Sequence, residues 1–164
     1  MSTFEDDRYQ WRETYFVLFP STRRPSTKAM QAALKTLSDG FEVEAVRGDE
    51  SGGFESATLH APDAFAAIDI AYVSGEEVTE QIEELSGDVN RVVLNEQQKE
   101  KLKHLGECDA RFDVLHFEQV DRGFEDDAED EMLDPSALLI VLAQLADLTE
   151  GIAIDPQSGT FMAD

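Results

Sequence analysis

The feature that most constrains the fold is the apolar stretch at residues 137–146, in which only Gln144 is polar. A helix this apolar on all sides must be covered on more than one side. Asp134 can cap its first turn, and Pro135 follows at a position where a missing N–H costs nothing. Because ten residues are about half of the roughly 20 that cross a membrane, the stretch predicts a buried core helix.

A short hairpin is predicted after this helix. Gly151 is expected to adopt the left-handed conformation that closes the helix, and residues 152–154 suit a strand because they are rich in β-branched side chains. Residues 155–159 have turn chemistry, since they include Pro156 and Gly159, and residues 160–162 are predicted to return as a second strand.

The preceding residues alternate between strand and helix patterns. Residues 14–19 form a continuous β-favouring run, typical of an interior strand covered on both faces. Ser26 is predicted to cap a helix that ends near residue 37, with its apolar residues at helical spacing. Further strands are predicted at residues 41–46, 56–60, 66–73 and 111–119, and further helices at 76–85 and 95–105.

These elements predict an α+β fold with a mixed or mainly antiparallel sheet, because crossovers are mixed with strands that are neighbours in sequence. The 164 residues are enough for one domain without disulfides. We expect a flexible N-terminal segment at residues 1–13 and a single domain at 14–164. An acidic linker at residues 121–134 leads into the buried C-terminal helix.

The charge balance limits the kinds of partner. With 36 acidic and 13 basic residues, the chain has a formal charge of -23, which repels nucleic acid and anionic membrane surfaces. A basic partner protein and a high-salt cytoplasm both remain compatible with this acidity. The single Cys108 and the polar N-terminus, which lacks a secretory signal, favour a cytoplasmic location.

The sequence has no familiar catalytic or metal-binding motif. His60, His104 and His116 have no metal-site spacing, and Cys108 is a poor nucleophile because Glu107 and Asp109 flank it. The acidic run at residues 125–131 lacks the spacing of a calcium loop. We therefore expect no catalytic residues, no metal and no cofactor.

A basic cluster at residues 20–28 is the most suggestive stretch for a ligand. Residues 14–38 hold four basic residues and no acidic one, and a helix begins within them. Helix N-termini and arginine side chains both favour anions. The candidate anion-binding residues are Arg23, Arg24, Ser26, Thr27 and Lys28. The alternative is that these bases form ion pairs within the chain.

The leading hypothesis is a small acidic cytoplasmic module that binds a protein or regulates one, without catalytic activity. The partner is expected to be a protein, basic or not, and a homodimer would form if Leu139, Ile140 and Ala143 on the second face of the core helix meet another subunit. One alternative is an enzyme or sensor for a small phosphorylated or carboxylated ligand at Arg23 and Arg24. Another is an acidic decoy of a basic nucleic-acid-binding protein.

Overall fold

The computed structural model describes residues 9–37, 41–61, 66–89, 96–119, 136–155 and 160–161. Within these ranges the strands are β1 Tyr9–Phe19, β2 Glu42–Gly48, β3 Phe54–Ala61, β4 Ala66–Ser74, β5 Ala110–Gln119, β6 Ile152–Asp155 and β7 Thr160–Phe161. The helices are α1 Thr27–Lys35, α2 Glu76–Val89, α3 Glu96–Leu105 and α4 Ser136–Thr149, and Ser21–Arg23 forms a short 3-10 turn.

The strands form one sheet in the order β2-β3-β4-β5-β1-β6-β7, and every neighbouring pair is antiparallel. This confirms the predicted α+β fold with a mainly antiparallel sheet, ending in a helix and a short hairpin. β1 lies inside the sheet between β5 and β6, as its continuous apolar run predicts.

β1 begins five residues earlier than predicted. Residues 9–13, which we assigned to a flexible N-terminal segment, pair with the end of β5. Tyr9 and Trp11, which favour strands, alternate with the polar Gln10 and Arg12, and the long-range pairing with β5 extends the strand through this short alternation. Residues 1–8 lie outside the described part of the chain.

The two faces of the sheet carry different helices. On face A, defined as the side covered by α1 and α4, the core includes Val17, Phe19, Phe112, Val114, Met30, Leu34 and Leu142. On face B, the opposite side, α2 and α3 pack over β1 and β6 through Val78, Ile82, Leu105, Phe16, Leu18, Ile152 and Ile154. The helices of face B therefore cover only one end of the sheet's second face with apolar side chains.

Helix α4 is buried on its sheet-facing side, as predicted. Its buried side chains are Leu138, Val141, Leu142 and Leu145. On the second face, which was expected to be covered by another helix or a second subunit, Leu139 and Ile140 remain 40% and 42% exposed, so no helix of the described ranges covers it and the second subunit stays a prediction. Ala143 is exposed beside them.

The helix ends show one confirmed cap and one correction. Ser26 caps α1, since its Oγ accepts a hydrogen bond from the Ala29 N–H at 3.0 Å. At the end of α4 the left-handed residue is Glu150 (φ 52°), so the prediction for Gly151 was wrong. Gly151 is required for a different reason: a Cβ there would lie 2.5 Å from the carbonyl oxygen of Leu18 in β1.

Several predictions fall on residues outside the described ranges. They are the acidic linker at 121–134 with its expected lack of a calcium site, the cap formed by Asp134 and Pro135, and the turn at 156–159. Among the helices of the described ranges, none has both the length and the hydropathy needed to cross a membrane.

Candidate functional site

The part of face B that α2 and α3 leave open contains a concave pocket of about 490 Å³. Four neighbouring strands, β2 to β5, contribute to it. Its polar lining is Glu44, Arg47, Ser56, Thr58 and Asp69, and its apolar lining on this face is Ala45, Ala71 and Leu115. The pocket therefore combines a shallow floor of small side chains with charged and hydroxyl groups.

The strand register explains why these residues meet. Cross-strand partners point to the same side of a sheet, and so do residues two apart along a strand. One row crosses the strands through Ala45, Thr58, Asp69 and Leu115. The next row, two residues along, passes through Arg47, Ser56, Ala71 and Asp113. The pocket is built from these two rows.

The sheet curls towards face B. Tyr9 in β1 and His60 in β3 are separated by β4 and β5, which places their strands roughly 14 Å apart at a spacing of about 4.7–4.9 Å. Their ring centroids nevertheless lie only 5.7 Å apart. Side chains can meet across two intervening strands in this way only when the face that carries them is concave.

A hydrogen-bonded chain closes one end of this concave face. The Tyr9 hydroxyl lies 3.1 Å from Nδ1 of His60, and Nε2 of His60 lies 2.8 Å from Oε2 of Glu44. The ladder between β2 and β3 is irregular between Val43 and Ala45, which leaves Glu44 as the extra residue of a bulge. Bulges re-aim side chains, and this one directs Glu44 to His60.

The charges around the pocket have both signs. The Thr58 hydroxyl donates to Oδ1 of Asp69 at 2.9 Å, and Glu44 adds a second carboxylate. Arg47 supplies a guanidinium at the exposed edge of the floor. Unlike the other four arginines in the described ranges, Arg47 forms no ion pair there.

Arg24, one of the residues predicted to bind an anion, is held by internal partners. Its Nε and Nη2 donate to the carbonyl oxygen of Phe54 at 3.1 and 2.9 Å, and its Nη1 lies 3.0 Å from Oδ2 of Asp49. The guanidinium carbon also lies 4.2 Å from the centroid of the Tyr72 ring. Arg24 thereby fastens the loop between β2 and β3 to the end of β1.

The Asp49 carboxylate organises that loop. Hydrogen bonds from the Ser51 hydroxyl and the Gly53 N–H, with the charge of Arg24 as a smaller cause, lower the pKa of Asp49 to about 2. Asp49 therefore stays ionised at neutral pH and serves as the internal anion for Arg24.

The other predicted anion-binding residues have separate roles. Arg23 pairs with Glu150 at 2.6 Å on the surface, and the Thr27 hydroxyl donates to the Gly52 carbonyl at 3.2 Å. Ser26 caps α1, whereas Lys28 is exposed and forms no ion pair within the described ranges. Arg23 and Arg24 thus show the alternative of pairing within the chain, and anion binding at this cluster stays a prediction.

The three histidines lie on separate elements, and the Cys108 thiol donates to the backbone carbonyl oxygen of His104 at 3.5 Å. His104 contacts Glu107 and the Glu150 carbonyl, and in the described ranges no three His, Cys, Asp or Glu side chains come together as a metal site. Burial, followed by the charges of Asp109 and Glu107, raises the pKa of Cys108 to about 12. Both effects disfavour the thiolate, which is the nucleophilic form, and burial is the larger of the two.

His116 is buried in the β5 strand on face A. Its Nδ1 lies 3.5 Å from Oε1 of Glu13, and its Nε2 has no hydrogen-bond partner among the described residues. Burial lowers the pKa of His116, although the Glu13 carboxylate opposes the shift. Burial and the same carboxylate raise the pKa of Tyr15 to about 12. Glu13 therefore sits between two groups that stay neutral at pH 7.

The pocket residues were not identified from the sequence. The available signal was the polar residue at every second position of β3, where Ser56, Thr58 and His60 alternate with buried side chains. That alternation indicates a solvent-exposed face, but it does not show which residues of the other strands join it.

Comparison with known proteins identifies no relative: no family model, no curated protein and no solved structure matches this chain.

Proposed function

We propose that this protein is a binding module and that the concave pocket on face B holds a small polar ligand. The observation that carries the proposal is the pocket itself, in which the small residues Ala45 and Ala71 of two strands, with Leu115 of a third, lie among charged and hydroxyl side chains. A volume of about 490 Å³ falls within the roughly 300–1,000 Å³ of small-molecule sites.

The arrangement of polar groups supports ligand binding. The Ser56 hydroxyl can donate and accept hydrogen bonds, and the Thr58 hydroxyl, which donates to Asp69, can accept one, beside the carboxylates of Glu44 and Asp69. A few polar groups of this kind fix the orientation of a ligand in a concave site. The small floor residues Ala45 and Ala71 leave the space that the ligand would occupy.

The hydrogen-bonded chain at the end of the pocket supports a positioning role for His60. Both of its ring nitrogens are engaged, one by Tyr9 and the other by Glu44. An imidazole held at both nitrogens keeps its neighbours in place, and here it fixes the Glu44 carboxylate at the pocket.

The test compares a variant that fills the pocket with a matched control. Ala71→Leu places a larger side chain on the floor, whereas Ala32→Leu makes the same change at an exposed position on α1. A library of small polar metabolites is screened by thermal shift, and hits are titrated by calorimetry. We expect hits that bind the natural chain and Ala32→Leu equally and bind Ala71→Leu at least about tenfold more weakly. A library without hits, or hits that bind Ala71→Leu as tightly as the natural chain, would contradict the proposal.

A partner protein is a second candidate, favoured by the exposed side chains of α4. Leu139 and Ile140 are 40% and 42% exposed, and Ala143 lies on the same side of the helix. A net charge of -23 favours a basic partner at longer range. Ile140→Gln is expected to abolish capture of such a partner or, if the partner is a second copy, to remove the concentration dependence of the mass seen by light scattering. Unchanged association of the Ile140→Gln variant would show that this side of α4 is not the binding surface.

A further inference from the structure

We infer that the ligand of the concave pocket is a small zwitterion of the amino-acid type, with Arg47 binding its carboxylate and Glu44 its ammonium group. This inference rests on the proposed function and adds the chemical class of the ligand. It follows from the opposite charges of Arg47 and Glu44, which both line the pocket, and from the contacts that each of them makes.

Arg47 supplies the first argument. In a chain with 36 acidic and 13 basic residues, an arginine has many potential partners, and the other four described arginines all pair with carboxylates. Arg47 lines the pocket and has no such partner within the described ranges. A guanidinium presents a planar fork of donors that matches a carboxylate with two parallel hydrogen bonds. An external carboxylate therefore completes the ion pairing of this residue.

Glu44 supplies the second argument. His60 engages its Oε2, while Oε1 has no hydrogen-bond partner among the described residues. The bulge that aims Glu44 at His60 also places it in the lining of the pocket. A carboxylate held in this way has a free acceptor oxygen for an ammonium group.

The spacing of the two charges suits a single small molecule. Glu44 and Arg47 lie three residues apart on β2, which puts their Cα atoms about 10 Å apart at roughly 3.3 Å per residue. Because Glu44 is held at His60, the Arg47 side chain is the one that can extend along the pocket and narrow this gap. The Ser56 and Thr58 hydroxyls lie on the neighbouring strand of the pocket, where they can contact the uncharged part of the ligand.

The net charge of the protein favours a zwitterion over a simple anion. At -23 the chain repels anions over the screening distance of about 8 to 10 Å, whereas a zwitterion carries no net charge and approaches without this barrier. A simple cation is attracted to acidic residues over the whole surface and gains little selectivity from one pocket. Charges of both signs in the ligand give contact-range recognition without long-range repulsion.

The test is an NMR titration of the 15N-labelled full chain with each of the common free amino acids. Acetate and ethylammonium serve as probes that carry one charge each. We expect at least one amino acid to shift amide resonances of the pocket strands, and both single-charge probes to bind at least about tenfold more weakly, since each loses one charge-assisted contact.

Two matched arginine variants then test the residue assignment. Arg47→Gln is expected to weaken the amino acid at least about tenfold, whereas Arg12→Gln, which removes the same charge from an ion pair with Glu118 outside the pocket, is expected to leave binding unchanged. Both positions are exposed, so the amide spectrum of each free variant should match that of the natural chain. Equal losses in both variants would indicate a general charge effect and would overturn the inference.

The outcomes separate this inference from the proposed function. If a sugar, a phosphate or another ligand binds and is lost in Ala71→Leu but not in Arg47→Gln, the pocket is a binding site and the zwitterion inference is wrong. If no compound of any class shifts the pocket resonances, the proposed function fails together with the inference. Loss of amino-acid binding in both Ala71→Leu and Arg47→Gln, with binding to Arg12→Gln unaffected, supports both.

Discussion

Replacement of Arg24 by methionine tests whether this residue stabilises the fold through internal contacts or binds an external anion. Methionine keeps an unbranched stem of similar bulk and removes the guanidinium. The lost contacts are two hydrogen bonds to the Phe54 carbonyl, the ion pair with Asp49 and the stacking over Tyr72. All of them join segments that are distant in sequence.

The expected loss of stability follows from these contacts. The two hydrogen bonds from Arg24 share one carbonyl oxygen and are counted as one charge-assisted bond, which contributes about 1.5–3 kcal/mol, and the cation–π contact adds about 0.5–1 kcal/mol. The Asp49 pair is left out of the sum because that carboxylate is open to solvent. We therefore expect Arg24→Met to lower the free energy of unfolding by about 2–4 kcal/mol.

The assay is urea denaturation followed by circular dichroism, with Arg23→Met as the matched control. The Arg23 pair with Glu150 is exposed, so the control is expected to lose less than about 1 kcal/mol. The difference between the variants should persist at high salt, because the less exposed contacts of Arg24 are screened less than a surface pair. Equal losses in both variants would refute a fastening role for Arg24.

The same two variants test the anion-binding hypothesis for the basic cluster. If Arg23 and Arg24 bind an external anion, phosphate should raise the unfolding midpoint of the natural chain, and both variants should lose that increase. If Asp49 and Glu150 already serve as the anions, phosphate should leave all three midpoints unchanged. Stabilisation of the natural chain by phosphate that disappears in Arg24→Met would restore the cluster as a ligand site.

Three further predictions concern stability. Leu142→Ala should lower the free energy of unfolding by about 2–5 kcal/mol because Leu142 is fully buried, whereas Leu139→Ala at an exposed position should lower it by less than about 1 kcal/mol. Equal losses in urea denaturation would contradict the placement of α4 in the core. Glu150→Gly should be about 1 kcal/mol more stable than Glu150→Ala, since both lose the surface ion pair but only glycine adopts φ 52° without strain; the reverse order of midpoints would contradict this. Because the folded state lowers the pKa of His116, the unfolded chain binds its proton first, and stability relative to His116→Gln should fall as pH drops below about 6.5 and level off below the folded pKa. The facing charges are Glu13, Arg12 and Glu118, and a difference between the two proteins that does not change with pH would contradict the shift.

Short-range patterns in the sequence predicted the elements that local chemistry controls. The apolar run of α4, the Ser26 cap and the β-favouring run inside β1 depend on residues within one or two turns of each other. Their free energies arise from side-chain burial, helix capping and backbone preference, all of which a short window contains. The α+β class followed from the order of these elements.

The sequence did not predict features that depend on contacts between residues far apart in the chain. Gly151 was predicted to be the left-handed residue after α4, but the residue with a positive φ is Glu150. Glycine is required at position 151 because the β1 backbone approaches it closely. The charge count identified Arg24 as unusual, yet its partners Asp49 and Phe54 are 25 and 30 residues away. Local composition does not contain these contacts.

The candidate site was decided by tertiary structure alone. Arg47, Ser56 and Asp69 belong to three strands, and only the strand register puts them on the same face. The curl of the sheet, shown by the contact between Tyr9 and His60, then turns that face into a pocket. By itself the sequence determined the strands, the core helix and the sign of the net charge, because these depend on neighbouring residues or on composition. Register and curl arise only when the strands pack together, because each depends on groups that the chain separates by many residues.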